Sequence, residues 1–316
     1  MKISGFSMIK NASKLYYPIK ESIMSILPIV DEFIVAVGDC DEDDNTRKLI
    51  ESINSNKIKI IDTIWDLKKY PNGMEHAHQT DIAKKACSGD WVFYLQADEV
   101  IHEKYHNEIV SKCKQYLDEE EVEGFLFKYK HFWGDYNHYH ISHRWYPKEI
   151  RIVRNKPETH SWESAQSFRK IENFDGINYR QQEETYKLNV IELDAYVYHY
   201  GWVRPPKYMQ KKKKVFATIH RGEKQAEEEY KRASEEFDFG PLDRLAIFDE
   251  THPKVMKEWI SKFDWEDKLQ YEGKPDRSRK KHKHEKLKYR LLTFIEQTFL
   301  NGNHLGGFRN YKLLKK

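Results

Sequence analysis

The chain has few cysteines and no long apolar run, and each shortage argues against a class of protein. Its 316 residues include three cysteines, Cys40, Cys87 and Cys113, with no Cys-x-x-Cys spacing. A disulfide framework or a structural zinc site is therefore not expected. No stretch approaches the roughly 18 apolar residues of a membrane-spanning helix, and residues 1–18 lack the apolar core of a signal peptide. We expect a reduced, cytoplasmic protein.

The chain also lacks a strong excess of either charge. Lys and Arg number 54 against 51 Asp and Glu, and the net charge of +3 is too small to predict a nucleic-acid partner. Basic residues nevertheless cluster at 211–214 and at 274–290, where nine Lys and Arg accompany two acids. These runs are either solvated helix faces or surfaces that attract phosphate or an anionic membrane. The peripheral inner face of a membrane is therefore a second possible location.

Strand-like and helix-like segments alternate over the first hundred residues. Aromatic residues make up 14% of the chain, which predicts a folded protein. Predicted strands cover 2–9, 32–37, 58–64 and 91–95, and predicted helices cover 13–27, 45–53, 74–87 and 100–117. This order predicts a three-layer α/β/α fold with a mixed, mainly parallel central sheet.

Two of these strands end in acidic sequence, "GDCDEDDN" at 38–45 and "QADE" at 96–99. In open sheets of this type, ligands bind beyond the carboxyl ends of the strands, so both acidic segments are expected at one edge. Hard divalent cations prefer carboxylate oxygens and can bridge two phosphates of a nucleotide. Two alternatives remain open: residues 98 and 99 cap the following helix, or the first segment is a solvated turn.

From residue 120 the pattern changes to strands with long aromatic-rich connections, at 123–134, 148–155 and 188–202, and then to charged helices. We predict a catalytic domain over 1–220, with a nucleotide-binding half (1–118) and an acceptor-binding half (119–220). A basic, helical C-terminal extension covers 221–316.

Five segments together resemble family 2 glycosyltransferases, which have the GT-A fold. "GDWVFYLQADEV" is similar to the family's Leu-Asp-Ala-Asp metal segment, "DEFIVAVGDCDEDDNT" to its nucleotide segment, and "HAHQTDIAKKACSGD" to the helix before the metal segment. "KEIRIVRN" resembles its Arg-Leu-Phe-Arg strand, and "YVYHYGW" the strand that ends in a late histidine. The resemblance covers residues 1 to about 215.

The resemblance implies an inverting, hexosyltransferase-type enzyme that uses a UDP- or GDP-sugar donor. Its acceptor would be a saccharide or lipid-linked saccharide hydroxyl, in cell-surface glycan synthesis. The cofactor would be Mg²⁺ or Mn²⁺ held by Asp98 and His199, with Gln96 standing where the family often has an acid. The donor nucleotide would contact residues of three strand ends: Met8, Lys10, Asn11, Asp39, Asp41 and Gln96.

Inverting transfer needs a general base to take the proton of the acceptor hydroxyl. Among six acids between 156 and 190, Glu163 is our choice, because it follows the "RIVRN" strand and adjoins Trp162, which could stack on a sugar. Arg169 could offset the leaving diphosphate, and Glu99 could contact the sugar or acceptor. Trp133 belongs to the aromatic stretch 131–146, which is either an acceptor loop or a packed aromatic lid.

Two other functions stay open. A nucleotidyltransferase also has acids at its strand ends, but it needs an early glycine-rich phosphate loop, which "SGFSMIKNASK" lacks. A non-catalytic carbohydrate- or polyanion-binding protein would use the basic tail and the aromatic residues, would bind polyanions with steep salt dependence, and would not bind UDP or GDP.

Overall fold

A computed structural model describes residues 1–307 and 309–315. The strands are β1 (Ile3–Ile9), β2 (Glu32–Val37), β3 (Ile58–Asp62), β4 (Trp91–Tyr94), β5 (Glu99–Ile101), β6 (Gly124–Trp133), β7 (His138–His140), β8 (Lys148–Arg154), β9 (Thr159–Trp162), β10 (Ser167–Ile171), β11 (Thr185–Trp202), β12 (Ala246–Ile247) and β13 (Tyr311–Leu313). The helices are α1 (Ile19–Ile26), α2 (Thr46–Glu51), α3 (Met74–Lys85), α4 (His106–Gln115), α5 (Pro206–Arg221), α6 (Glu223–Tyr230), α7 (Lys257–Ile260) and α8 (Leu287–Phe299).

The central sheet has the order β3-β2-β1-β4-β8-β6-β11-β10-β9. The first four strands are parallel, β8 runs antiparallel to both of its neighbours, and β6 and β11 are parallel to each other. This sheet confirms the predicted fold class, a mixed and mainly parallel α/β fold.

Helices cover both faces of the sheet because its strands are apolar on both sides. Along β4, Trp91 and Phe93 pack in a core with α1 and α4, whereas Val92 and Tyr94 pack in a second core with α3 and β10. Successive side chains of a strand point to opposite faces, so one short apolar run supplies both cores. The result is the predicted three-layer arrangement.

One predicted helix begins in the wrong place. The segment expected to be helical from residue 100 first forms β5, which pairs antiparallel with β11, and α4 begins only at His106. Asp98 and Glu99 therefore do not cap that helix, and this alternative is wrong. The β-branched residues Val100 and Ile101 are both buried, and burial in the sheet overrides the helical periodicity of the segment.

The extension after α5 packs on the second half of the sheet. Phe248, Met256 and Trp265 share a core with Tyr198 and Tyr200 of β11. Helices α6, α7 and α8 are joined by long irregular segments, and β13 pairs with β11. None of the helices among the described residues combines the length and the apolarity that crossing a membrane requires. The division at residue 220 stays a prediction.

Candidate active site

The carboxyl ends of β1, β2 and β4 lie along one edge of the sheet, because these strands are parallel neighbours. Asp39 follows β2, and Asp98 follows β4. The topology therefore puts both acidic segments at the edge where ligands bind in such sheets.

Asp98 is buried among cations. Its Oδ2 accepts a hydrogen bond of 2.9 Å from Lys212 Nζ, and Arg204 Nη2 lies 3.8 Å from the same oxygen. Lys212 comes from α5 and also donates to the carbonyl oxygen of Gly201 at 2.8 Å. The side chain of Asp98 is 6% exposed and that of Arg204 is fully buried. Two basic side chains from the region after β11 thus compensate one buried carboxylate.

The pairing of Asp98 with Lys212 determines the protonation state of both side chains. Burial alone would raise the pKa of Asp98, but Lys212, His199 and Arg204 together lower it well below its usual range. Burial lowers the pKa of Lys212 to about 8, although Asp98 acts against that shift. At neutral pH the site therefore holds an ionised carboxylate and a charged ammonium in contact.

Hydrogen bonding determines the tautomer of His199. His131 Nε2 lies 2.8 Å from the carbonyl oxygen of Tyr146, which can only accept, so this nitrogen carries the proton. Burial keeps the pKa of His131 well below its usual value, so its Nδ1 is an acceptor. His199 Nδ1, 2.9 Å away, must then be the donor. The remaining nitrogen, His199 Nε2, presents a lone pair 3.8 Å from Asp98 Oδ1.

Two acceptors that face each other at this distance suit a cation between them. Asp98 Oδ1 and His199 Nε2 could supply two ligands to Mg²⁺ or Mn²⁺, ions that take their other ligands from water and substrate phosphates. Gly201 leaves this space open, since a Cβ at that position would lie against His199 Nε2 and 2.8 Å from Asp98 Oδ2. The residues present therefore fit the ion, with Lys212 as a resident cation on the other carboxylate oxygen.

Glu99 has different surroundings from its neighbour Asp98. It is fully buried, and its two oxygens accept hydrogen bonds of 2.8 Å from Arg151 Nη2 and Nε, while Tyr129 adds a third donor at 2.8 Å. The carboxylate is turned into the sheet rather than toward the edge. Glu99 thereby holds Arg151 and the strand end in place, and its contact with a sugar or acceptor stays a prediction.

Gln96 links the end of β4 to the turn between β9 and β10. Its Nε2 donates to the carbonyl oxygen of Ala165 at 2.9 Å. Glu163 and Ala165, in that turn, both have positive φ values of 54° and 59°, and the Glu163 amide donates to Tyr179 at 2.9 Å. The structure thus brings the turn that carries the predicted base next to the metal segment, whereas the catalytic role of Glu163 stays a prediction.

Asp39 lies beside an aromatic side chain that the sequence did not identify. Its Oδ1 accepts from the Trp65 amide at 2.9 Å and pairs with Lys10 Nζ at 2.8 Å. The Lys10 ammonium also lies 5.7 Å from the centre of the Trp65 ring, and the indole Nε1 is buried without a hydrogen-bond partner in the described structure. A flat ring next to a carboxylate and a lysine suits a nucleobase and its ribose.

The other residues predicted to contact the nucleotide flank Asp39 and Lys10. Asn11, in the left-handed region at φ 56°, exchanges hydrogen bonds with Asp41 at 2.8 and 3.2 Å. Met8 is half-buried near the end of β1. Lys14 pairs with Asp41 and Asp43, so part of the acidic segment is neutralised rather than simply solvated.

The predicted acceptor-side aromatic residues are packed. Trp133 is 3% exposed, stacks on Trp202 at 4.7 Å, and donates its indole N–H to Phe239. Trp162 is also 3% exposed, with the Arg169 guanidinium 5.4 Å from its ring. Within stretch 131–146, residues 131–136 are buried whereas Ile141 and Tyr146 are exposed, so the acceptor loop and the packed aromatic lid both stay predictions. Contact of Trp133, Trp162 and Arg169 with a sugar stays a prediction.

Sequence reasoning missed Lys212, Arg204, Trp65 and His131. Lys212 lies within the basic cluster 211–214, for which the sequence predicts either a solvated helix face or a phosphate-attracting surface. The helical period of α5 turns Lys212 inward while Lys211 and Lys214 are exposed. No local signal marked Arg204 or Trp65.

The structural neighbours that we compare with this chain are remote. The chain matches no family model and no curated protein. Among solved structures, S. aureus TarS aligns at 16% identity and a TM-score of 0.39, over 69% of this chain and 39% of TarS. TarS 1-349 in complex with UDP-GlcNAc aligns at 17% identity and 0.34, over 69% and 66%.

A third neighbour is glucosyl-3-phosphoglycerate synthase from Mycobacterium tuberculosis in complex with Mn²⁺, UDP and phosphoglyceric acid. It aligns at 19% identity and a TM-score of 0.27, over 40% of this chain and 42% of the synthase. The chain thus spans about two fifths of the length of full TarS and of the synthase. Likeness of this degree does not define an activity, so the function must be argued from the site itself.

Proposed function

We propose that this chain is a glycosyltransferase that moves a sugar from a nucleotide-diphospho-sugar, a UDP- or GDP-sugar, to an acceptor hydroxyl with inversion. The observation that carries the proposal is the arrangement around Asp98. A carboxylate at the end of a parallel strand contacts Lys212, lies near Arg204, and faces the lone pair of His199. A diphosphate needs such a set of cations and cation ligands at a sheet edge.

The nucleoside would occupy the neighbouring strand ends. Asp39 and Lys10 would bind polar groups of the base or ribose, and Trp65 would supply a stacking face. Lys212 and Arg204 would then lie on the diphosphate side, next to Asp98. The donor would therefore lie along the sheet edge from the end of β2 to the end of β4.

The reaction follows from these roles. The acceptor oxygen attacks the anomeric carbon, its proton passes to Glu163, and the bond from that carbon to the diphosphate breaks with its electron pair. Lys212 and Arg204 stabilise the negative charge that develops on the leaving diphosphate. Asp98 and His199 would hold Mg²⁺ or Mn²⁺, which when bound neutralises further phosphate charge.

The acceptor is proposed to be a saccharide, free or lipid-linked, in cell-surface glycan synthesis. Helix α8 supports contact with a membrane surface, since Leu287, Leu291, Phe294 and Phe299 are 58 to 78% exposed beside the basic segment 274–290. An apolar helix face with lysines around it is typical of interfacial helices. Co-sedimentation with phosphatidylserine vesicles should weaken on Phe294→Asp and in high salt, and equal binding by the variant would contradict this part of the proposal.

A thermal-shift panel tests the proposed activity. UDP, GDP and their sugar conjugates are added with and without Mn²⁺, and at least one nucleotide should raise the melting temperature. The Asp39→Ala variant should lose that shift, whereas Asp194→Ala, an exposed acid on β11, should keep it. If no nucleotide stabilises the wild type, the chain is not a nucleotide-sugar enzyme.

A further inference from the structure

A second carboxylate–imidazole cluster lies between α8 and the 131–146 stretch, away from Asp98. Glu296 Oε1 lies 2.6 Å from His143 Nδ1, and Glu296 Oε2 lies 3.8 Å from His304 Nε2. One ligand atom from each of the three residues falls within 4.8 Å of the other two. These residues are far apart in sequence, so only the fold brings them together.

Glu296 is an unusual residue for its helix. It is fully buried, and it is the buried residue of α8, whose apolar side chains Leu287, Phe294 and Phe299 face outward. A carboxylate in the one buried position of a helix needs compensation by hydrogen bonds or a cation. The helix is otherwise docked by polar contacts of Thr293 and Gln297 with the 141–143 backbone.

The compensation within the described residues is incomplete. Glu296 Oε1 lies beside His143 Nδ1 and accepts from the Leu305 amide at 2.8 Å, but Oε2 is buried and has no hydrogen-bond partner. Its ion-pair partners in the described part of the chain are the two imidazoles. One buried lone-pair oxygen, aimed at a histidine, is thus left to bind something else.

From this geometry we infer that Glu296, His143 and His304 form a binding site for a divalent cation of the zinc type. Two imidazole nitrogens and one carboxylate are a ligand set that Zn²⁺ takes, with a fourth position left for water. The cysteine spacing argues against a structural zinc site built from thiolates, and this cluster contains no cysteine. Zinc–ligand bonds of about 2 Å require the three atoms to shift by less than about 1 Å.

The cluster borders a cavity. His143 and His304 both line a cavity of about 310 Å³ whose wall also contains Arg144, Lys148 and Arg309. A metal in the cluster would therefore be reached from this cavity. It would also tie α8 and the 300–307 loop to the segment 141–146, whose Tyr146 carbonyl holds His131 in the candidate active site.

The test uses the full chain, freed of metal with EDTA and titrated calorimetrically with ZnCl₂. We expect Asp98→Asn to retain one equivalent of Zn²⁺, which separates this site from the active site. His304→Ala should weaken that binding by more than the 10- to 100-fold that loss of an outer-shell partner costs. The matched control is His138→Ala, because His138 pairs with Asp135 at 2.9 Å and is not part of the three-residue cluster.

Co²⁺ provides a second measurement that does not depend on stability. The Asp98→Asn protein should give visible absorption bands typical of a four-coordinate site, and the double variants with His143→Asn or His304→Ala should lose them. The inference is overturned if Asp98→Asn binds no Zn²⁺, or if adding His304→Ala leaves affinity and spectrum unchanged. Neither measurement depends on glycosyl transfer, so failure to bind Zn²⁺ or Co²⁺ here would not contradict the proposed glycosyltransferase activity, on which this inference does not rest.

Discussion

Asp98 at the sheet edge and the histidines His284 and His252 of the C-terminal extension are packed in opposite ways. At the sheet edge, the carboxylate of Asp98 contacts the Lys212 ammonium and lies near Arg204. In the extension, imidazoles are buried in the neutral form, and burial lowers the pKa of His284 and of His252 to about 4. The edge therefore has preformed charge that a charged ligand can use, whereas His284 and His252 are packed without charge.

Because of this difference, we expect mutations in the two regions to have different effects. Changes at the sheet edge should reduce turnover and donor affinity, because the charges there are proposed to face the substrate. Changes in the extension should alter stability and its pH dependence, because its histidines face other side chains such as Trp133 and Phe132. The following experiments test this separation.

Glu163→Gln should have the largest effect. Loss of a general base lowers turnover by about two to four orders of magnitude, while donor binding is unchanged because the amide keeps the shape of the side chain. Steady-state kinetics and donor calorimetry measure the two quantities. Glu172→Gln, an exposed acid paired with Lys170, is the control, and normal turnover in Glu163→Gln would assign the base to another carboxylate.

Asp98→Asn should lower turnover about 100- to 1,000-fold, the scale of a lost electrostatic group in an active site. Any effect of Mg²⁺ or Mn²⁺ on donor binding should also disappear, because the ion loses its carboxylate ligand. Far-UV circular dichroism should remain that of the wild type. If the variant still shows metal-dependent donor binding, the ion is bound elsewhere.

Lys212→Met should weaken donor binding by about 10- to 100-fold, since a charge-assisted hydrogen bond contributes roughly 1.5 to 3 kcal/mol. Mn²⁺ should bind more tightly than in the wild type, because Asp98 loses its resident cation. Calorimetry with donor and with MnCl₂ measures both. The exposed neighbour Lys211→Met should change neither, and equal effects in the two variants would mean that general charge attracts the donor.

His284→Phe should have the smallest effect, confined to the pH dependence of stability. The folded-state pKa of His284, about 4, lies below the unfolded value, mainly because of burial. As pH falls from about 6.5 toward 4, His284 becomes protonated in the unfolded chain but stays neutral in the folded chain, so the wild type loses stability.

Removal of the His284 imidazole should reduce the pH dependence of the free energy of unfolding by up to about 1.4 kcal/mol per pH unit. Urea denaturation at several pH values measures the slope, and turnover at neutral pH should remain near that of the wild type. An unchanged slope would show that His284 does not contribute to acid sensitivity.

Much of the sheet could be predicted from the sequence. The strand at 32–37 and the starts of the strands at 58 and 91 agree with the structure, because β-branched and aromatic runs between turn residues leave few alternatives. The start of β5 could not be predicted, because Glu99–Ile101 becomes a strand only by pairing with β11, about a hundred residues later.

The site was predictable in part. Asp39 and Asp98 were placed at one edge by topology alone, and His199 was expected near Asp98. The cations that compensate Asp98 could not be found in the same way, because Lys212 and Arg204 reach it from a helix and a loop more than a hundred residues away. Trp133, in contrast, was predicted as a sugar contact, but the extension buries its ring.

Gln96 sets a constraint on how this site can be redesigned. An acid at this position, as the related motif often has, would add a ligand for a metal ion but would remove the amide that holds the Ala165 carbonyl. The turn with Glu163 would then lose its bond to the Gln96 side chain and depend on its other contacts, such as that of Arg151 with the Gln166 carbonyl oxygen. Stronger metal binding and a well-positioned base therefore compete for a single side chain, and an engineer must choose between them or supply a second anchor for the turn.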